Sequence, residues 1–296
     1  MMPWKYSLVL SHKVSLLLYL ERLIHVFIKR KIMMLCLLIT TFSSITIANA
    51  ASTPSAPVKS PLLLKINQFY VAYTAPHAPY VDNKNRLMVP LRSISDLLAA
   101  DVNYDAKTKI AMITRKNYLK EEEKNFTIKM TVGAKEIEIN DVKSEMDTVP
   151  TLIKESMFIP LSVVTKALHI ETTWDHNKGL VSLNLDPAYL PSGVVSDEGH
   201  LGKSDTKVRP INSTIQTTVN KAGIPIINVN VTALNEGKSS LSKGNYLRFY
   251  VQDSNFGSFD VYNKDQIKPG NTFSVQTTNT ILADSLRYIL VDAFAD

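Results

Sequence analysis

Asn103-Tyr104-Asp105 sets a tyrosine between an amide and a carboxylate. That pattern surrounds tyrosines that oxygen and copper convert into a quinone cofactor. The chemistry needs a copper ion held by imidazoles, since nitrogen donors build this kind of site. Three histidines are required, two of them spaced His-x-His. Downstream of residue 50 the chain has His77, His169, His176 and His200, with no such pair. Tyr104 is therefore expected to serve packing. His169 and His176 are read as surface residues rather than ligands. Asp253, Asp260, Asp292 and Asp296 could supply oxygen ligands for calcium, but no Asp-x-Asp-x-Asp loop organises them. Gly-rich phosphate loops, Gly-x-Ser-x-Gly elbows and His-Glu-x-x-His are absent from the sequence. No catalytic, cofactor-binding or metal-binding residue is assigned.

Two features retain binding chemistry. Arg92 could take a carboxylate or phosphate, although a local ion pair with Asp96 at i+4 is the expected role. Tyr246, Phe249, Tyr250, Phe256, Phe259 and Tyr262 cluster near the C-terminus. Adjacent residues of a strand face opposite sides, so part of this cluster points away from a one-sided core. Tyr246, Tyr250 and Tyr262 are the candidate ligand contacts, because exposed rings stack on sugars and other flat apolar faces.

These residues sit in a repeating frame. Residues 89–113, VPLRSISDLLAADVNYDAKTKIAMI, align without a gap on 159–183, IPLSVVTKALHIETTWDHNKGLVSL. Pro90, Leu91, Leu98 and Asp105 fall on Pro160, Leu161, Leu168 and Asp175, and Tyr104 falls on Trp174. A slot that accepts tryptophan wants an aromatic, and tryptophan gives no such quinone. Each copy reads as a short apolar strand stopped by proline, a helix of two to three turns, then a strand, a turn and a strand. The result is a tandem β-α-β-β arrangement. Beyond it, 186–210 is rich in Pro, Gly, Ser and charge and reads as a linker. Residues 211–296 show only strand patterns, which predicts a small all-β sandwich-like domain folding separately from 62–185.

The first copy, with Val89, Pro90, Leu91, Arg92, Leu98, Tyr104 and Asp105, resembles the copper amine oxidase N-terminal domain-like, or stalk-domain, family. The second copy departs from it, with Ser162 where arginine is usual and no glycine near His169. The resemblance spans about 62–185; residues 211–296 resemble no family. It implies an accessory structural or binding module without oxidase activity, on exported proteins of Gram-positive bacteria.

The N-terminal end fits export. Lys29-Arg30-Lys31 precedes an apolar run that ends at Ala48-Asn49-Ala50, the form of a signal peptide cleaved between Ala50 and Ala51. Residues 1–25 do not fit a signal; translation starting near Val26 accounts for them, the alternative being a long leader with an extra membrane-associated helix. Cys36, the lone cysteine, lies in the apolar run, so the exported chain is expected to hold no disulfide. Residues 51–61 read as a Pro/Ser/Ala linker.

The net charge is +6, but the first 50 residues hold six of the 33 basic and one of the 27 acidic residues, leaving 27 and 26. That balance argues against nucleic-acid binding. Membrane contact is expected only through the leader. The reading is an exported, non-catalytic envelope protein in which a stalk-type domain presents a β domain to cell-wall polysaccharide or another envelope protein. The other readings are a hydrolase with its site in the C-terminal β domain, which requires paired acids in a cleft, and a regulator of an exported enzyme.

Overall fold

The computed structural model describes residues 59–73, 77–115, 126–187, 190, 207–244, 246–251, 257–280 and 286–294. The leader with its Ala50–Ala51 junction, and most of both proposed linkers, lie outside the described residues. What is described is mostly β-sheet, with two short helices.

The two copies of the repeat meet about a local pseudo-two-fold axis. Their first strands, β5 (Leu87–Pro90) and β12 (Ser156–Pro160), pair antiparallel with Val89 opposite Ile159. These two residues are equivalents in the repeat, so the axis runs between them. The hairpin partners β4 (Tyr80–Val81) and β11 (Thr151–Ile153) complete a four-stranded sheet in the order β11-β12-β5-β4.

Each strand ends in a proline that caps the following helix: Pro90 before α1 (Leu91–Leu97), Pro160 before α2 (Leu161–Ala167). Proline lacks the N–H a ladder would use, and its fixed φ suits a helix start. Both helices stop the same way. Ala99 and His169 take left-handed φ of 50° and 52°. The next amides, Ala100 and Ile170, reach back to the carbonyls of Ser95 and Thr165, both at 2.8 Å. This is a Schellman closure without its usual glycine.

Strands β6 (Asp101–Asp105) and β7 (Ile110–Arg115) follow in the first copy, β13 (Glu171–Asp175) and β14 (Leu180–Asn184) in the second. The repeat aspartate shapes both turns. Asp105 Oδ1 accepts the Lys107 amide at 2.8 Å, and Asp175 Oδ1 accepts the Asn177 and Lys178 amides at 3.1 Å. Lys109 and Gly179, again equivalents, then turn left-handed at φ 59° and 61°.

A single copy does not make its own sheet. The β6–β7 hairpin joins β8 (Phe126–Thr131), β9 (Glu136–Ile139) and β10 (Val142–Glu145) in the order β10-β9-β8-β7-β6. The β13–β14 hairpin joins β2 (Leu64–Ile66) and β3 (Phe69–Tyr73), with β14 parallel to β2. Each hairpin is thus completed by strands lying ahead of the opposite copy.

The larger departure from expectation lies at β3. Its outer edge pairs with β20 (Tyr288–Phe294), which pairs with β17 (Tyr246–Val251), which pairs with β18 (Gly257–Tyr262). The result is one seven-stranded sheet, β13-β14-β2-β3-β20-β17-β18. Residues 211–296 therefore do not form a sandwich of their own, and the boundary expected at 186–210 divides strands of a single sheet. The second layer is β1 (Ser60–Pro61), β15 (Val208–Val219), β16 (Pro225–Asn235) and β19 (Thr272–Thr280). Ser60 and Pro61, expected in a linker, pair with Ser213 and Asn212.

The physical reason is burial on both faces. Phe69, Val71 and Tyr73 enter one core while Tyr70 and Ala72 enter the other. Tyr288 and Leu290 alternate with Ile289, Val291 and Ala293 in the same way. Exposing such side chains costs about 1.5–3 kcal/mol each, so neither half can shed the other. Fragment 211–296 expressed alone is expected to be unfolded or aggregated, and 56–296 to melt in one transition by calorimetry. An independently folded 211–296 with dispersed amide resonances would contradict this account.

Candidate functional site

A cleft of about 320 Å³ opens where the first copy, the second copy and the C-terminal strands converge. The β5–α1 junction contributes Pro90, Leu91, Arg92 and Ser93, while β6 contributes Val102 and Tyr104. The β11–β12 hairpin adds Leu152, Glu155, Ser156 and Met157. Tyr73 and His77 come from the end of β3 and just beyond it, Thr217 from β15, and Leu286 and Arg287 from the approach to β20.

Arg92 is exposed at this cleft and makes no hydrogen bond or ion pair among the described residues. Its expected partner Asp96 bonds instead to Arg287, 191 positions away. Burial lifts Asp96 above its ordinary carboxyl range, against the pull of Arg287 and Arg92. His77 Nδ1 and the Ser156 hydroxyl share a hydrogen bond at 2.8 Å. Burial, with Lys154 nearby, holds the imidazole below its ordinary value, so the ring is neutral at pH 7.

Tyr73 is 4 % exposed, and its hydroxyl has no hydrogen-bond partner. Burial drives the phenol well above its ordinary value, with Ser93 close enough to oppose the shift. The Ser93 hydroxyl nevertheless donates to the Pro90 carbonyl at 3.0 Å, and no hydrogen bond of proper geometry joins it to the phenol.

Tyr104 is half-buried against the core below α1, and Trp174 occupies the equivalent place below α2. The Trp174 ring also stacks on His176 at 4.8 Å. His169 holds the left-handed position after α2 and is exposed. No group of metal-ligating side chains occurs among the described residues. The motif residues Leu91, Leu98, Leu161 and Leu168 fill or border the same core.

The C-terminal aromatics divide. Tyr250 is buried, with its ring edge-on to Phe69 at 5.4 Å, and offers no ligand surface. Phe249, its neighbour, stacks on Phe259 in the opposite core. Residues 247–251 of β17 are buried on both faces, which is why adjacent aromatics here do not imply exposure. Tyr262 is 53 % exposed on the outermost strand. The Tyr246 side chain lies outside the described residues.

Asp260 and Asp292 both sit opposite Arg248 in the ladder. Arg248 grips Asp260 with Nε at 2.6 Å and Nη2 at 2.9 Å. Of the carboxylates that a cation site or an acid pair would need, Asp260 is thus held by a guanidinium, and Asp292 Oδ1 accepts the Ala293 amide at 2.8 Å. Asp253 and Asp296 lie outside the described residues.

With this geometry in view, the comparisons are specific. Residues 65–183 match the family model described as Copper amine oxidase N-terminal domain. The matched segment is thus similar to that family's N-terminal domain. The match is to the non-catalytic N-terminal part of that family, not to its catalytic domain, and the C-terminal region has no family match. No curated protein and no solved structure matches the chain. The family match ends within β14, yet the sheet continues through strands the match does not cover.

Sequence reasoning singled out Arg92 and Tyr104 but missed Tyr73, Ser156 and Arg287. Phe69–Tyr73 reads only as an apolar strand, and no local signal brings Arg287 to Asp96.

Two stability outcomes follow. Tyr104→Phe is expected to cost under about 1 kcal/mol, since its hydroxyl makes no hydrogen bond among the described residues, and Tyr104→Ala about 2 kcal/mol, below the range for a fully buried aromatic. Denaturant titration measures both, and a copper-dependent quinone band lost in the Phe variant would overturn the packing role. Asp260→Ala strands a guanidinium that is 8 % exposed. The expected loss is about 3 kcal/mol, at the low end for a broken buried pair. A loss below about 1 kcal/mol would show that the pair behaves as a surface one.

Proposed function

We propose that the protein is an exported, non-catalytic protein of the cell envelope, whose stalk-type domain and C-terminal strands act together as one binding or scaffolding module. The observation that carries this reading is the match of residues 65–183 to a domain of the non-catalytic kind. The leader pattern supports export.

The second layer supports a hydroxylated polymer as partner. One face of β15, β16 and β19 packs on the core through Ile215, Val229, Val231 and Val275. The opposite face carries Thr214, Gln216, Asn228, Asn230, Thr232, Ser274, Gln276 and Thr278 in cross-strand register. Some of these bond laterally, as Thr232 with Ser274 at 3.0 Å and Thr278 with Asn228 at 2.6 Å. A surface of hydroxyls and amides offers both donors and acceptors without charge. Cell-wall polysaccharide is the partner this chemistry suits, with an envelope protein as the other occupant of the same role.

The test has two readouts on protein made from the full chain. Terminal sequencing of secreted material is expected to start at Ala51, and purified cell walls are expected to retain the protein. Asn230→Lys with Thr232→Lys, placed on the polar face, is expected to abolish retention without lowering Tm by more than about 2 °C, as for surface substitutions. An intact leader in the membrane fraction, or a secreted protein that walls do not retain, would overturn the reading.

A further inference from the structure

We propose that β19 is a dimerisation edge, on which two copies of this chain pair β19 to β19, antiparallel, about a two-fold axis at Gln276. The proposal concerns how copies associate and stands whether or not the polar face holds polysaccharide.

Three observations carry it. The first is the edge itself. Strand β19 is the last strand of the second layer, and among the described residues it pairs only with β16. That ladder runs from Thr272 to Thr280 without a bulge, so the outer N–H and C=O groups form an equally regular row. A row of this kind is a template for another strand.

The second is the composition of β19 against that of the other outermost strands. Charge, proline and short length are the usual protections of an edge. Strand β6 carries Asp101 and Asp105, β10 Lys143 and Glu145, β13 Glu171 and Asp175, and β18 Asp260. Strands β1, β4 and β11 are only two or three residues long. Strand β19 has nine residues and no charge, proline or glycine.

The third is self-complementarity, which selects a second copy as the partner. Overlap along the whole strand sets Thr272 opposite Thr280, Ser274 opposite Thr278 and Gln276 opposite its own copy on the outer face. On the inner face, where Phe273 and Val275 meet the core, Phe273 stands opposite Asn279 and Val275 opposite Thr277. Hydroxyl and amide pairs across a ladder are favourable, and no like charges face each other. A two-fold axis perpendicular to the sheet closes the contact, so association stops at two copies. The same axis keeps both polar faces on one side and makes them continuous.

The full chain carrying Cys36→Ser gives a background free of cysteine for the test. Sedimentation equilibrium is expected to show a monomer–dimer equilibrium with dimer dominant at about 100 μM, as for micromolar association. Gln276→Cys in this background is expected to form a disulfide-linked dimer on mild oxidation, because directly opposed Cα atoms lie about 4.5–5.5 Å apart, within disulfide reach. Ser274→Cys is expected to link to Thr278→Cys in a mixture but not to itself, since its own copy stands about 13 Å along the ladder. Gln276→Lys sets two like charges opposite each other and is expected to weaken dimerisation at least about tenfold, with the fold intact by circular dichroism. A chain that stays monomeric at about 100 μM would overturn the proposal. So would a dimer indifferent to Gln276→Lys, or Ser274→Cys linking to itself as readily as to Thr278→Cys. Linkage through Thr214→Cys on β15 in place of Gln276→Cys would put the contact on the opposite edge and overturn it as well.

Discussion

The fold depends on a strand with no wet face. Phe69–Tyr73 is buried along its whole length, with alternate residues committed to two different cores. A strand of this kind must be covered on both sides and paired at both edges, or its backbone and side chains pay in exposed apolar surface and open hydrogen bonds. Strand β2 covers one edge, within the N-terminal-type domain. The other edge is filled by β20, more than 200 positions downstream. From that pairing follow the seven-stranded sheet, the second layer packed on its far face and the cleft at the seam.

The pseudo-two-fold relation makes the point sharper. Counted outward from the equivalent hairpins, β8 and β9 stand in the five-stranded sheet where β2 and β3 stand in the seven-stranded one, and β10 stands where β20 does. Yet β10 ends its sheet, and Val142, Lys143, Ser144 and Glu145 are all exposed. Lys143 and Glu136 pair across it at 2.9 Å. Alternating charge on a short edge strand keeps it from recruiting another. Phe69–Tyr73 has no charged residue at all. The two sheets thus end differently: one is sealed by charge at β10, the other is carried on by the C-terminal strands.

Much of this was legible locally. The Pro90/Pro160 stops, the Asp105/Asp175 turns and the aromatic slot of Tyr104 and Trp174 are short-range features, and each does the same job in both copies. Long-range pairing was not legible. Alternation in 246–251 and 288–294 shows strands but not their neighbours, and a charged, Pro-rich stretch such as 186–210 looks the same whether it joins two domains or two strands of one sheet. The adjacent Phe249 and Tyr250 carried the ambiguity in miniature. Their opposed faces implied exposure only if one face of β17 were wet, and neither is. The Arg92–Asp96 pairing failed for the same reason. Spacing of i+4 brings two side chains within reach, but the choice of Arg287 over Arg92 is made by tertiary structure.

The quinone pattern around Tyr104 shows how a motif loses meaning outside its context. Its chemistry requires metal ligands that converge, whereas His169 is spent on a helix end, His176 on a tryptophan face and His77 on Ser156. What the repeat contributes near Tyr104 is shape. The ring forms a wall, Pro90 stops a strand, and Arg92 is brought to the cleft by the turn between them. The C-terminal strands then supply Arg287, which removes Asp96 from competition for Arg92. The seam is built by combining a repeat that positions side chains with an added sheet edge that reassigns their partners.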